Sequence, residues 1–307
     1  MNAPATGVAL SFVIPMFNEE DIVREAVARA SDVGRRWGRP YEVLAVDDGS
    51  LDATPKILAE LRAADPAVRW VQLRPNCGQP AASKAGLLSA RGAMIAVLDA
   101  DLQTPPEVVP RMAEALERAA PDVAAVFGVT STANRDDPAR LLVGQAVFYF
   151  LETRLGRRPI PHGASSFFVM RKEVARRLGR LTFTKGNVGA IMAALGLRME
   201  TVSYVKPRSY RADSRLGLRG HVEEAVGSLA LTGVLSRLGT AGALAGGLLG
   251  RAMVSRSRPG SALLLGALAV GSAAVVGAAE LFSRRSLRTA RRELPMFEGE
   301  AAYSVGA

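Results

Sequence analysis

Two aspartates separated by one residue follow an apolar run in the stretch VLDADLQTPPE (97–107). The run predicts a buried strand, which would place Asp99 and Asp101 at its carboxyl end. If the chain turns there, both carboxylates can meet one hard divalent ion such as Mg²⁺ or Mn²⁺, and Gln103 can add a carbonyl oxygen. An isolated pair of acids at this spacing is also typical of a solvated loop.

Further acids end two other apolar runs. They are Glu19 in IPMFNEE, and Asp47, Asp48 and Asp52 in AVDDGSLDAT. Carboxylates gathered on one rim repel each other unless a cation, or a ligand with hydrogen-bond donors, lies among them. The alternative for the DDGS stretch is a capped turn in which Asp48 and Ser50 satisfy backbone donors, and this role is compatible with ligand binding.

Short apolar runs alternate with amphipathic patterns over the first 130 residues. They predict strands at 8–14, 41–46, 68–73, 93–99 and 122–127, and helices at 19–37, 54–64, 79–91 and 105–119. Thr54 is predicted to cap the second helix. Runs that are apolar on both faces and separated by helices predict an α/β fold with a parallel sheet covered on both sides. Ligands of such sheets bind at the carboxyl ends of the strands.

The rest of the chain is less regular. A helix is predicted at 139–156, an extended segment at 164–171 and a strand at 198–205. From residue 226 to 283 the chain is rich in Gly, Ala and Leu, which predicts a membrane-associated helical hairpin. Glycines at spacing four favour close helix contact in lipid and allow a homo-oligomer through these helices. An Ala/Gly-rich soluble hairpin is the alternative.

Composition limits the class of protein. The chain has 307 residues, 49% of them hydrophobic, a net charge of +10 and one cysteine, Cys77, which excludes an intrachain disulfide. The positive charge fits anionic membrane lipids or phosphorylated substrates. Aromatic residues are only 6% and show no stacking pattern, which argues against nucleic acid. Arginines in the tail 284–307 favour a cytoplasmic location, at the cell (inner) membrane, for the tail and for the region before the hairpin, because positive charge is retained inside.

The order of IPMFNEE, VDDGSLDAT, NCGQPAASKAGLLSARG and VLDADLQTPPE resembles the family-2 inverting glycosyltransferases of the GT-A fold. More narrowly, it resembles the polyprenyl-phosphate glycosyltransferases of the dolichol-phosphate mannose synthase type. The resemblance implies a Rossmann-like α/β catalytic domain over 1–225, with a nucleotide-sugar half (1–130) and an acceptor half (131–225). C-terminal membrane helices would follow.

The resemblance also implies roles for individual residues at the donor site. The nucleotide-sugar would be bound by Pro15, Phe17, Glu19, Asp47, Asp48, Gly78, Asp99 and Gln103. Within this set, Asp47 would bind the base or the ribose, and Gly78 would let the backbone approach the nucleotide. Asp101 would hold Mg²⁺ or Mn²⁺, with Asp99 and Gln103 beside it.

On the acceptor side, the resemblance implies transfer of a hexose from a UDP- or GDP-sugar to a polyprenyl phosphate. The lipid phosphate would be bound by Arg135, Arg208, Arg211, Ser214 and Arg215, of which Arg135, Arg211 and Arg215 would act in catalysis with Asp99 and Asp101. A phosphate is already ionised and needs no general base. Ser166 stands where the family often has an acid. The alternatives are a transferase acting on a hydroxyl, a non-catalytic membrane scaffold, and a purely lipid-anchoring role for the arginines.

Overall fold

The computed structural model describes residues 7–130, 166–181 and 188–207, together with positions 150, 154 and 161. Its strands are β1 (Leu10–Met16), β2 (Tyr41–Asp47), β3 (Val68–Gln72), β4 (Met94–Val97), β5 (Val123–Thr130), β6 (Phe168–Arg171) and β7 (Arg198–Tyr204). Its helices are α1 (Val23–Trp37), α2 (Thr54–Ala64), α3 (Gln79–Ser89), α4 (Val109–Arg118), α5 (Lys172–Arg180) and α6 (Val188–Leu195), and a short 3-10 helix covers Pro106–Val108.

One seven-stranded sheet with the order β3-β2-β1-β4-β6-β5-β7 contains all these strands. The α/β prediction is confirmed, but the expectation of an all-parallel sheet is wrong because β6 runs antiparallel to both β4 and β5. The reversal has a topological cause. Strand β5 ends at the rim where the other parallel strands end, and the chain is again at that rim at Ser166, beside Asp99. A strand that starts at this rim must run away from it.

The predicted elements of the first 130 residues lie where the apolar pattern placed them. The first helix begins at Val23 rather than at residue 19, because the chain turns through Asn18, whose φ is 53°. Thr54 does not cap α2: it is the first helical residue, and its hydroxyl accepts the backbone N–H of Glu19 at 2.8 Å instead. The hydroxyl therefore joins two loops, and the cap prediction is wrong.

Helices cover both faces of the sheet, and alternate strand residues point to opposite sides. Phe12 and Ile14 belong to the core beneath α1 and α4, whereas Val13 and Leu44 belong to the core beneath α3 and α5. Helix α3 lies very close to the sheet, because a Cβ atom on Gly86 would be only 2.3 Å from Cγ1 of Val13. A side chain at residue 86 would therefore push α3 away from the sheet.

The membrane prediction is not tested by the described residues. None of the helices they form is both long enough and apolar enough to cross a bilayer. The predicted hairpin at 226–283 and the tail at 284–307 lie outside the described residues, as does most of the predicted helix at 139–156.

A buried ionic cluster lies at the edge of the sheet opposite the acid-rich loops. The carboxylate of Glu42, 3% exposed, accepts hydrogen bonds from the hydroxyl of Ser11, from Nη1 of Arg69 at 2.7 Å and from the backbone N–H of Arg91 at 2.6 Å. The Ser11 hydroxyl oxygen in turn accepts the N–H of Gly92 at 2.8 Å. The cluster joins the starts of β1 and β2 to the end of α3, so the charge is paired and satisfied.

Replacing Glu42 with alanine should lower the free energy of unfolding by about 3 kcal/mol, because Arg69, the Ser11 hydroxyl and the backbone N–H of Arg91 lose their buried acceptor. Urea unfolding followed by the fluorescence of Trp37 and Trp70 measures this loss. The matched control is Glu114→Ala, which removes an exposed pair with Arg118 and should cost less than about 0.5 kcal/mol. Equal effects of the two substitutions would contradict the assigned role of Glu42.

Candidate active site

Two loops at the carboxyl ends of β1 and β2 are joined by five hydrogen bonds. The backbone N–H groups of Asn18, Glu19 and Glu20 donate to the side chains of Ser50, Thr54 and Asp52, respectively. In the opposite direction, the side-chain oxygens of Asn18 and Glu20 accept the N–H groups of Leu51 and Ala53. We call this set the loop clasp. It fixes the loop that carries Phe17 against the loop that follows Asp47 and Asp48.

Asp47, the last residue of β2, and Asp48, which follows it, are buried and accept hydrogen bonds from neighbouring residues. Asp47 is 0% exposed, and its carboxylate accepts the N–H of Ser50 at 3.0 Å and Nε2 of Gln72 at 2.9 Å. Asp48 is 3% exposed and accepts the N–H groups of Cys77 at 2.9 Å and Gly78 at 2.7 Å. Their negative charges are therefore stabilised by loop donors. The nucleotide-binding roles of both residues stay predictions.

A cleft of about 490 Å³ opens beside these loops. It is lined by Phe17, by residues 49–51, and by Gln72, Arg74, Pro75 and Asn76. Gly49 brings two walls of the cleft together: its φ is +75°, and a Cβ atom there would lie 3.0 Å from the backbone nitrogen of Asn76. The cleft has the size of a small-molecule site. Sequence reasoning placed Phe17 here but missed Gln72 and Arg74, although both stand at the end of a predicted strand.

The aspartates of the DADLQ stretch lie on a turn just beyond β4. The backbone reverses through Leu102, whose φ is 61°, and Oδ1 of Asp101 accepts the N–H of Gln103 at 3.0 Å. The N–H of Asp99 donates to the buried hydroxyl of Thr104 at 2.7 Å. The turn expected at the strand end is therefore present, and it holds both aspartates on one short loop.

Asp99 is positioned from two sides. The hydroxyl of Ser166 lies 2.8 and 2.7 Å from its two carboxylate oxygens, and Nε2 of Gln79 donates to Oδ1 at 3.2 Å. Gln79 begins α3 directly after Gly78, which contacts Asp48. The loop between β3 and α3 therefore touches the cleft at one end and Asp99 at the other.

Tyr204, the last residue of β7, is a neighbour that sequence reasoning missed. Its ring packs edge-on against Phe167 with centroids 5.3 Å apart. Burial, and then the charges of Asp99 and Asp101, raise the pKa of Tyr204 to about 12, so its hydroxyl is protonated at neutral pH. The signal was available, because the end of a predicted strand on the ligand-binding rim is where such a residue belongs.

The divalent-cation site expected at Asp99, Asp101 and Gln103 stays a prediction. In the described part of the chain, no three His, Cys, Asp or Glu side chains come together as a metal site. Asp47, Asp48 and Asp52 instead accept backbone N–H groups. Asp101 can accept further bonds, because no residue in the described part of the chain donates a hydrogen bond to its second carboxylate oxygen.

The remaining predicted residues divide into two groups. Pro15 is buried within β1, Glu19 is 8% exposed beneath the loop clasp, and Gly78 adopts a φ of 87° at the start of α3. All three lie on the rim with the cleft and Asp99. The predicted acceptor residues, Arg135, Arg208, Arg211, Ser214 and Arg215, lie outside the described residues, and their roles stay predictions.

A family model described as "Glycosyl transferase family 2" matches residues 11–179, more than half of the chain. The chain is a member of glycosyl transferase family 2. The match includes the loop clasp, the cleft and the turn that carries Asp99 and Asp101. It confirms the family resemblance indicated by the sequence motifs.

Individual relatives extend this comparison. Uncharacterized glycosyltransferase YkcC of Bacillus subtilis is 30% identical over 212 residues, which cover 69% of this chain and 64% of that protein. Dodecaprenyl-phosphate galacturonate synthase of Rhizobium johnstonii is 41% identical over 118 residues, covering 38% of this chain and 35% of that protein. The matched regions thus span between about one third and just under two thirds of these relatives.

Among solved structures, the fold is similar to that of glucosyl-3-phosphoglycerate synthase from Mycobacterium tuberculosis. That crystal structure is a complex with Mn²⁺, uridine-diphosphate and glucosyl-3-phosphoglycerate. The TM-score is 0.50 at 19% sequence identity, over 74% of this chain and 80% of the other. At this identity the likeness establishes the fold alone, which is the GT-A fold expected of family 2.

In this family-2 protein, Asp48→Asn should weaken nucleotide binding by about 10- to 100-fold, because an amide nitrogen would face a backbone N–H where a carboxylate oxygen now accepts it. Calorimetric titration with UDP and with GDP measures the change. Asp122→Asn, which alters an exposed carboxylate paired with Arg198, is the control and should bind as the parent does. Affinities within twofold for all three proteins would contradict the positioning role of Asp48.

Tyr204 should ionise only near pH 12 in the folded state, compared with about 10 for an ordinary tyrosine. Because the pKa of Tyr204 is higher in the folded state, its protonated side chain stabilises the folded protein. This contribution to the free energy of unfolding is complete below pH 10 and is lost between pH 10 and 12. Absorbance at 295 nm after rapid pH jumps measures this, and Tyr204→Phe should remove a component that titrates near 12. Loss of a component that titrates at 10 would contradict the assignment.

Proposed function

We propose that this chain is an inverting, metal-dependent glycosyltransferase that transfers a hexose from a UDP- or GDP-sugar to a polyprenyl phosphate. The observation that carries the proposal is the placement of a nucleoside-sized cleft and the Asp99–Asp101 turn on one rim, bridged by the loop from Arg74 to Gln79. A nucleotide in the cleft can then extend its diphosphate along this loop toward Asp101. Family membership and the cell-membrane location expected from the sequence agree with this reaction.

The chemistry at Asp101 fits a divalent cation. Its second carboxylate oxygen and the side chain of Gln103 have no hydrogen-bond partner among the described residues, and both offer the oxygen ligands that Mg²⁺ and Mn²⁺ prefer. Asp101 would hold the ion, with Asp99 and Gln103 beside it, and the ion would neutralise the departing nucleoside diphosphate. The related fold of glucosyl-3-phosphoglycerate synthase, which was crystallised with Mn²⁺ and uridine-diphosphate, supports this assignment.

The described surroundings of Asp99 are compatible with an acceptor that is already an anion. Among the described residues, Ser166 and Tyr204 approach Asp99 from the second half of the sheet, and neither a serine hydroxyl nor a protonated tyrosine is a general base at neutral pH. A phosphate oxygen needs no general base: it attacks C1 of the sugar directly, the bond from C1 to the diphosphate breaks with its electron pair on the leaving group, and the configuration inverts.

Two of the predicted arginines follow, in sequence, strands that end on the rim with Asp99. Arg135 follows the end of β5 by five residues, and Arg208 follows the end of β7 by four. Both strands run parallel and end on the rim that carries Asp99. Cations beside this rim would bind a lipid phosphate and hold it for attack. The polyprenyl-phosphate sugar transfer named for the Rhizobium johnstonii relative is consistent with this arrangement.

The full chain in detergent, given undecaprenyl phosphate and a panel of radiolabelled UDP- and GDP-sugars, should place label in the lipid extract, and mild acid should release it. Asp101→Asn should reduce transfer by more than about 100-fold, because charge on the leaving diphosphate is no longer neutralised. Asp122→Asn is the control and should transfer at the parental rate. Label that resists mild acid would indicate a hydroxyl acceptor, and absence of label with every donor would indicate a non-catalytic scaffold.

A further inference from the structure

The guanidinium of Arg74, on the wall of the cleft, is held in one orientation by a neighbouring side chain. Arg74 is exposed, yet both its Nε and its Nη2 donate to Oε1 of Gln72, at 3.1 and 2.9 Å. Two bonds from one planar group to one oxygen restrict the rotation of the guanidinium. Its Nη1 has no hydrogen-bond partner within the described part of the chain and is available to a ligand.

The amide that holds Arg74 is itself oriented by a buried charge. Nε2 of Gln72 donates to Oδ2 of Asp47 at 2.9 Å, while Oδ1 of Asp47 accepts the N–H of Ser50 at 3.0 Å. Because a carboxylate only accepts hydrogen bonds, the Gln72 amide must present its nitrogen to Asp47 and its oxygen to the cleft. Asp47 therefore fixes Arg74 through Gln72, although Asp47 is 0% exposed.

This arrangement selects among nucleobases by hydrogen-bond chemistry. A guanidinium donates and never accepts, so it pairs with a ring carbonyl oxygen, such as O4 of uracil or O6 of guanine. Cytosine and adenine carry an amino group at the corresponding position, which would place donor against donor. A site with a fixed donor rejects such a base because both groups lose their partners.

We propose that Gln72 and Arg74 determine the nucleobase specificity of the cleft, with Asp47 and Gln72 as positioning residues and Arg74 as the group that contacts a carbonyl-bearing base. The inference rests on the proposed function, since it assumes that the cleft receives the nucleotide of the donor. It replaces direct base binding by Asp47, expected from the sequence, with an indirect role.

Binding of free UDP, GDP, CDP and ADP to the full chain in detergent with Mg²⁺ tests the inference without requiring the acceptor. The preferred carbonyl-base nucleotide should bind about tenfold or more tightly than CDP and ADP. Gln72→Leu frees the guanidinium, and Arg74→Lys keeps the charge but removes the planar fork. Each should reduce this preference to about threefold or less, mainly by weakening the favoured nucleotide. Arg111→Lys, an exposed substitution on α4, is the matched control.

The outcomes separate the two proposals. A loss of base preference in both variants, with CDP and ADP affinities little changed, supports the inference. Equal weakening of all four nucleotides would assign Gln72 and Arg74 a merely structural role and overturn it, as would a parent protein that binds all four nucleotides equally. Binding of none of them would instead contradict the proposed function, and the inference with it.

Discussion

The need to satisfy two buried carboxylates determines the geometry of the whole rim. Asp47, which ends β2, and Asp48, which follows it, are 0% and 3% exposed, so each must find donors inside the protein. The donors are backbone N–H groups of the flanking loops and the amide of Gln72. The loops are therefore held close together by charge as well as by packing, and the cleft lies between them. Asp47 and Asp48, which the sequence predicts to bind the nucleotide, thus accept hydrogen bonds that hold the backbone of the neighbouring loops.

A second constraint comes from the reversed strand. Because β6 is hydrogen-bonded to both β4 and β5, the segment around Ser166 and Phe167 reaches the Asp99 loop from the second half of the sheet. Tyr204 approaches the same loop from β7. The aspartate that follows β4 is thus approached both from the strands beside the cleft and from the strands that precede the predicted acceptor residues. In the proposed reaction, donor and acceptor would meet at this position.

Much of the fold could be predicted from the sequence, because each strand of the first half is a short apolar run, which is typical of a strand buried on both faces. The direction of β6 could not be predicted, because an apolar run such as FFVMR does not indicate whether the strand pairs parallel or antiparallel. The direction depends on the rim at which the preceding segment ends. At the site, residue type and strand position indicated Asp99 and Asp101, and the family resemblance indicated Phe17; their roles stay predictions. Residue type alone could not show whether a carboxylate faces a ligand or a backbone N–H.

The position of β6 between β4 and β5 also limits which fragments of the chain can fold on their own. Strand β5 pairs with β6 and β7, and β4 pairs with β1 and β6. A fragment that stopped at residue 130 would leave β5 without a hydrogen-bonded neighbour and would open one edge of β4 to solvent, where unpaired strand edges recruit other chains. The predicted nucleotide-sugar half, residues 1–130, is consequently a poor candidate for isolated expression, even though its motifs are contiguous.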